Sequence, residues 1–178
     1  MRPPACPLIA SGLVPSLKGT MSELETQPRN LLHALGPGFV GAVSLTLVHQ
    51  GARAVLKHPP RMDVLGMRSL KKVSRWLGMR PAHGRALYLQ SLVGDLISNT
   101  LYYALVATGR PRRLYLKGAL LGALAGLGAV VLPPYLGLGE GPSRARRSTS
   151  FLTVAWYTLG GLGSAHAARG ALLASATD

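Results

Sequence analysis

Four stretches of this chain carry almost no charge, and that pattern limits its fold more than any motif does. Asn30 to Ala52 and Gly118 to Gly139 contain no Asp, Glu, Lys or Arg, and Ala86 to Gly109 contains only Asp95. A fourth run, Phe151 to Ala174, is interrupted late by His166 and Arg169. A helix rises about 1.5 Å per residue, so each run can cross a hydrocarbon core about 30 Å thick. The predicted fold is therefore all-α: a four-helix transmembrane bundle with spans at about 35–56, 86–108, 114–136 and 151–174.

Composition agrees with this reading. Of the 178 residues 48% are hydrophobic and 15% charged, against about 25% charged in an average soluble protein. The net charge of +14 raises the question of nucleic acid, but such binders gather their basic residues on a soluble surface among aromatic or base-reading groups. Here Lys and Arg fall between the apolar runs, as in the loops of a polytopic membrane protein. No nucleic-acid partner is expected. The single Cys6 excludes an intramolecular disulfide and a thiolate metal cluster.

Residues 1–30 read as a flexible, Pro-broken N-terminal tail, and 31–178 as a single membrane domain. The apolar piece Pro7 to Val14 is broken by Ser11 and Gly12, so it does not read as a signal peptide. Met21 opens a plausible alternative start, which would make residues 1–20 extraneous.

Between the first and second spans lies a basic connection, Lys57 to Arg85. Pro59 and Pro60 stop the first helix, and Asp63 is placed to cap the next. Over about 63–77, Leu65, Leu70, Val73 and Trp76 fall on one face and Arg68, Lys71, Lys72 and Arg75 on the other. This pattern predicts an amphipathic interfacial helix whose basic residues and Trp76 meet lipid headgroups. A helix packed on the bundle's own loops is an equal alternative. Eleven basic residues in Lys57 to Arg85 and Arg144 to Arg147 modestly favour placing those two loops on the cytoplasmic side.

Asp95 is the centre of the candidate site. A carboxyl in a bilayer interior costs roughly 3 kcal/mol on insertion scales. Ser91, Asp95, Asn99 and Tyr103 recur every four residues and share one helical face. In the first span Thr46, His49, Gln50 and Arg53 form a polar stripe. His49 lies about 12 Å inside the helix end near Lys57, and Asp95 about 13.5 Å inside the helix start near Ala86. Their depths match in an antiparallel pair, so a His49–Asp95 hydrogen bond is expected. The candidate intramembrane set is His49, Arg53, Asp95, Asn99 and Tyr103. Snorkelling of Arg53 and a local hydrogen bond to His49 are the bland alternative. In the third span Gly118, Gly122 and Gly126 make a groove for close helix contact. Pro133 and Pro134 end or kink that span.

The runs Leu47-Val48-His49-Gln50 with Arg53, Pro60-Arg61-Met62-Asp63-Val64-Leu65-Gly66-Met67-Arg68, and Gly94-Asp95 with Ser98-Asn99 and Leu101-Tyr102-Tyr103 resemble an uncharacterised group of small bacterial integral membrane proteins. The resemblance covers about Gly38 to Thr108. It implies a multi-pass protein of the bacterial inner membrane and no particular activity. In that group the position of Gln50 is usually an acid, so a proton-carrying role there is not expected of this chain.

No phosphate loop, zinc-binding helix motif or nucleophile elbow is present. Three functional classes follow: a non-catalytic membrane subunit, a small transporter-like protein using the polar face around Asp95, and, ranked below these, an intramembrane enzyme acting on a lipid-soluble substrate with His49 and Asp95 as acid and base. Membrane lipid, a second copy or another membrane protein are the expected partners. No metal or cofactor is expected.

Overall fold

The computed structural model describes the backbone of residues 17–176, apart from 58, 109, 110, 141, 142, 144 and 145, and side chains from residue 32 onward apart from these and residue 111. The described residues form five α-helices and one short 3-10 turn: α1 (Leu17–Val55), α2 (Met62–Trp76), α3 (Gly84–Ala107), the turn Pro111–Arg113, α4 (Leu114–Tyr135) and α5 (Arg147–Ala174). No strand occurs among them.

The first helix begins at Leu17, well before the expected end of the N-terminal tail. Its leading stretch contains Glu23, Leu24, Glu25 and Gln27, good helix formers that extend a helix already nucleated by the apolar run. The other half of that tail, residues 1–16, lies outside the described residues. At the far end of α4 the chain stays helical through Pro133 and Pro134 and stops at Gly137. There a φ of +64° lets Leu138 N–H reach the Pro133 carbonyl at 2.8 Å and Gly137 N–H the Pro134 carbonyl at 3.0 Å, a glycine-terminated helix end.

Four long helices run antiparallel in a bundle. Backbone-to-backbone approach at glycines sets their spacing. A Cβ on Gly122 would sit 2.5 Å from the Tyr157 carbonyl oxygen, one on Gly126 would lie 2.6 Å from Val154 Cα, and one on Gly118 would overlap the Gly161 carbonyl. The groove on α4 therefore receives α5. On α1, Gly38 faces the Thr100 carbonyl of α3, and a Cβ on Gly41 would meet the Gly160 carbonyl at 2.7 Å. Tyr103 of α3 fills the notch between these helices, fully buried, and donates to the Tyr157 carbonyl at 2.7 Å.

The interior mixes a hydrophobic cluster that includes Leu45, Val106, Leu114 and Trp156 with polar side chains, and much of the exterior is apolar. His49, Ser91, Asn99, Thr149, Thr153 and Ser164 are buried, whereas Leu47, Leu120, Leu124 and Phe151 are exposed. On α3 Leu89, Val93, Ile97, Leu101 and Leu105 form an exposed stripe directly opposite the Ser91–Asp95–Asn99–Tyr103 face. Of the four expected spans, Leu32–Val55 of α1 and Leu114–Tyr135 of α4 are long and apolar enough to cross a membrane. The helices α3 and α5 have the length, but Gln90, Asp95, Ser98 and Asn99 in one and repeated Ser, Thr and Gly in the other dilute their apolar character.

The two glycine environments predict opposite effects of one added methyl. Gly122→Ala pushes Cβ into the α5 backbone and should destabilise by about 2 kcal/mol or more. Gly36→Ala meets nothing within 4 Å and should be neutral or stabilising by up to about 1 kcal/mol through helix propensity. Thermal unfolding of both variants in detergent, followed by circular dichroism, checks the contrast.

Candidate functional site

The end of the bundle where α1 stops, α2 lies and α3 begins holds a cavity of about 30 Å³, room for about one or two waters. It is lined from α1 by Thr46, His49, Gln50 and Arg53, from α2 by Met62, Asp63 and Gly66, and from α3 by Tyr88, Ser91 and Asp95. Gly66 faces Ser91, and a Cβ there would make an ordinary contact at 3.6 Å from Ser91 Cβ, so α2 packs beside α3 at normal side-chain distance.

One wall is a hydrogen-bonded chain. Gln50 Nε2 donates to the Tyr88 hydroxyl at 3.1 Å, and Arg53 Nη1 donates to Gln50 Oε1 at 3.3 Å. Arg53 also lies 3.6 Å from Asp63 Oδ2. Asp63 accepts two bonds from Arg61, Nε at 3.1 Å and Nη2 at 3.2 Å. Thus Asp63 does not cap α2, whose N-terminus has no side-chain cap bond. It ties α2 to the end of α1 through Arg53 and to the preceding loop through Arg61, and the charge-assisted bonds from Arg61 are a stronger use of a carboxylate than a single backbone contact. Burial of Asp63 acts to raise its pKa, but the Arg61 hydrogen bond and the charges of Arg53 and Arg61 overcome it and hold the carboxyl below its ordinary range. The same hydrogen bond and charge raise the pKa of Arg61.

The opposite wall is less satisfied. Thr46 Oγ1 and His49 Nε2 are buried and have no hydrogen-bond partner among the described residues. His49 is held edge-on to Trp156 and Tyr157, with ring centroids 5.1 and 5.8 Å away. The expected His49–Asp95 hydrogen bond is therefore not formed at Nε2. Both residues border the cavity, but the aromatic pair on α5 turns the imidazole toward itself. A matched depth brings two residues to one level and leaves their orientation to the third helix.

The remaining candidates separate. Asn99 lies one turn deeper and donates to the Asp95 backbone carbonyl at 2.9 Å. Tyr103 is a further turn away and serves the α1–α3–α5 packing described above. Sharing a face at four-residue spacing spreads four side chains over about 18 Å, more than one small site spans. Thr46, Gln50, Asp63 and Tyr88 complete the cavity. Tyr88 had a legible signal, three residues before Ser91 on the Asp95 face.

Asp95 also borders a second, larger space, a groove of about 310 Å³ between α2 and α3. Met62, Leu65, Leu70 and Val73 of α2 form its apolar side, and Gln90, Ser98 and Tyr157 join Asp95 on the polar side.

The headgroup candidates on α2 divide in two. Arg68 Nη1 donates to the Leu138 carbonyl at 2.6 Å and Lys72 Nζ to the Leu136 carbonyl at 2.5 Å. Both bind the carbonyls just past α4, where cations offset the negative helix end. Arg68 and Lys72 thus dock α2 on the bundle while staying exposed. Arg75 and Trp76 remain exposed, Trp76 at 84%, and Lys71 partly so. Among the described residues no group of three His, Cys, Asp or Glu side chains could hold a metal ion.

The Asp63 clamp predicts an acid-sensitive α2. Its folded pKa lies below the unfolded value of about 3.9. Its stabilisation is therefore complete above that pH and is lost as pH falls through the folded value. A spin label at Ser69 should gain mobility below about pH 4, and Asp63→Asn should show that mobility already at pH 7. Comparison of the chain with family models, curated proteins and solved structures finds no match.

Proposed function

We propose that this chain is a multi-pass membrane protein of four spans that binds a small lipophilic cation at Asp95 in exchange for a proton. Two observations support four crossings rather than two. The directions of the helices come first: α1 is antiparallel to both α3 and α5, since Gln50 meets Tyr88 and His49 meets Trp156, while Gly38 meets Thr100 and Gly41 meets Gly160. The glycine contacts also make α4 antiparallel to α5. Hence α1 and α4 point the same way, and the chain must recross the layer between them. Among the described helices α3 is the one placed to do so, and its exposed Leu89-to-Leu105 stripe suits lipid. Lateral packing is the second support. The helices α3 and α5 lie alongside α1 and α4 over most of their length, so a bilayer that takes in one pair takes in the other.

The observation that carries the binding role is the position of Asp95 between two spaces. On one side are the unpartnered Thr46 and His49. On the other is the groove floored by the apolar face of α2. Asn99 gives this carboxyl one side-chain hydrogen bond, and the polar atoms of Thr46 and His49 beside it find no partner among the described residues. Here the surrounding polar groups are left incomplete, as in a site that a solute completes. An apolar groove leading to a single carboxylate suits a lipid-soluble cation, and the same carboxylate cannot hold a proton and a cation together. That exclusion is the chemical basis of exchange. The edge-on packing of His49 fits the wall of a binding site better than an acid–base partner for Asp95.

Two measurements test this reading. With Cys6→Ser as background, cysteines at Arg80 and Ser148 should be labelled from one side of the membrane and a cysteine at Arg112 from the other; labelling of all three from one side would leave no room for four spans. In proteoliposomes with an imposed pH gradient, uptake of tetraphenylphosphonium should be lowered by Asp95→Asn about tenfold or more at unchanged protein abundance. Uptake equal to the parent protein, or loss of the variant from the membrane, would remove the proposed role.

A further inference from the structure

At the end of the bundle remote from α2, a cleft of about 480 Å³ opens between the start of α4 and the end of α5. Its volume falls within the range of small-molecule sites, roughly 300 to 1,000 Å³. Arg112 and Arg113 enter it from the turn before α4, and Arg169 from α5. None of the three is ion-paired with a described acid. The guanidinium of Arg169 lies 5.9 Å from the centroid of the Tyr115 ring, and the Tyr115 hydroxyl is 3.3 Å from His166 Nδ1. The tyrosine is thus fixed from one side and holds the arginine over the cleft on the other. Leu116, Leu172 and Leu173 complete the lining. Leu116 opens the exposed apolar row of α4 that continues through Leu120 and Leu124.

We infer that this cleft binds the phosphate of an anionic phospholipid from the surrounding bilayer. Three arginines lining one cleft suit a phosphodiester, because each guanidinium offers a planar fork of donors to its oxygens. Positive charge with no ion pair to a described acid selects an anionic headgroup over a zwitterionic one. Leu116 places apolar surface on the membrane side of the cations, where the acyl chains of the same molecule would lie along α4 beside Leu120 and Leu124. A soluble phosphate would use the arginines and leave that apolar wall uncovered. The inference rests on the reading of α4 and α5 as spans, and the site is separate from Asp95.

The test uses the full chain in detergent titrated with phosphatidylglycerol, phosphatidylcholine or inorganic phosphate, read by native mass spectrometry and by thermal unfolding. Phosphatidylglycerol should give a saturable one-to-one adduct and raise the unfolding temperature, as a ligand of the folded state does; phosphatidylcholine and inorganic phosphate should not. Each arginine removed should weaken binding by about fivefold, so Arg112→Gln with Arg169→Gln should weaken it by about 25-fold. Arg80→Gln with Arg85→Gln, exposed at the other end of the bundle, should leave it unchanged. Should the glutamine pair fail to fold, Arg112→Lys with Arg169→Lys keeps the charge, loses the forks and should still weaken the adduct. Equal loss in the cleft pair and the Arg80 and Arg85 pair, equal protection by inorganic phosphate, or no saturable adduct would overturn the site. If cysteine labelling shows four crossings and no adduct forms, the lipid site alone falls.

Discussion

Close backbone contact at glycine is the constraint on which the rest of this structure depends. In water a bundle gains stability by hiding apolar side chains. Here many large apolar side chains face outward and the buried cluster around Leu45, Val106, Leu114 and Trp156 is small, so close contact between the helix surfaces carries much of the packing. Gly118, Gly122 and Gly126 bring α4 against the carbonyls of α5, and Gly38 and Gly41 bring α1 against α3 and α5. Tyr103, Ser164 and Thr153 then fill the interior with groups that bond to helix carbonyls.

The same constraint explains where the cavity lies. At Gly38 and Gly41 of α1 the helices approach by backbone. Toward Thr46, His49 and Arg53 the contact passes to larger polar side chains, and a third helix, α2, covers the opening. The Asp63 clamp ties it to α1, while Arg68 and Lys72 tie it to the end of α4. One helix is thus fixed by charge at both of its neighbours, and its apolar face is left over the groove beside Asp95.

Charge is spread unevenly over the two ends. Around α2 most cations have partners: Arg53 and Arg61 have Asp63, and Arg68 and Lys72 have helix carbonyls. At the other end Arg112, Arg113 and Arg169 share a cleft with no described acid. The first arrangement uses charge to close the bundle, whereas the second leaves it directed outward.

The sequence alone determined the helical class, the alternation of apolar runs with basic connections, the glycine groove and the amphipathic character of α2. These depend on periodicity and on glycine's lack of a side chain, both local properties of the chain. It also marked Asp95 as the one charge inside its run. What it could not supply was which polar groups meet. The four-residue spacing of Ser91, Asp95, Asn99 and Tyr103 defines a face, yet the structure puts Asp95 at the cavity and Tyr103 in a glycine notch two turns away. Depth matching placed His49 beside Asp95, while Trp156 and Tyr157 on a distant helix decided how the imidazole lies. Likewise Asp63 read as a helix cap until Arg53 came within reach of it, because the partner of a charge is set by three-dimensional proximity and not by its neighbours along the chain.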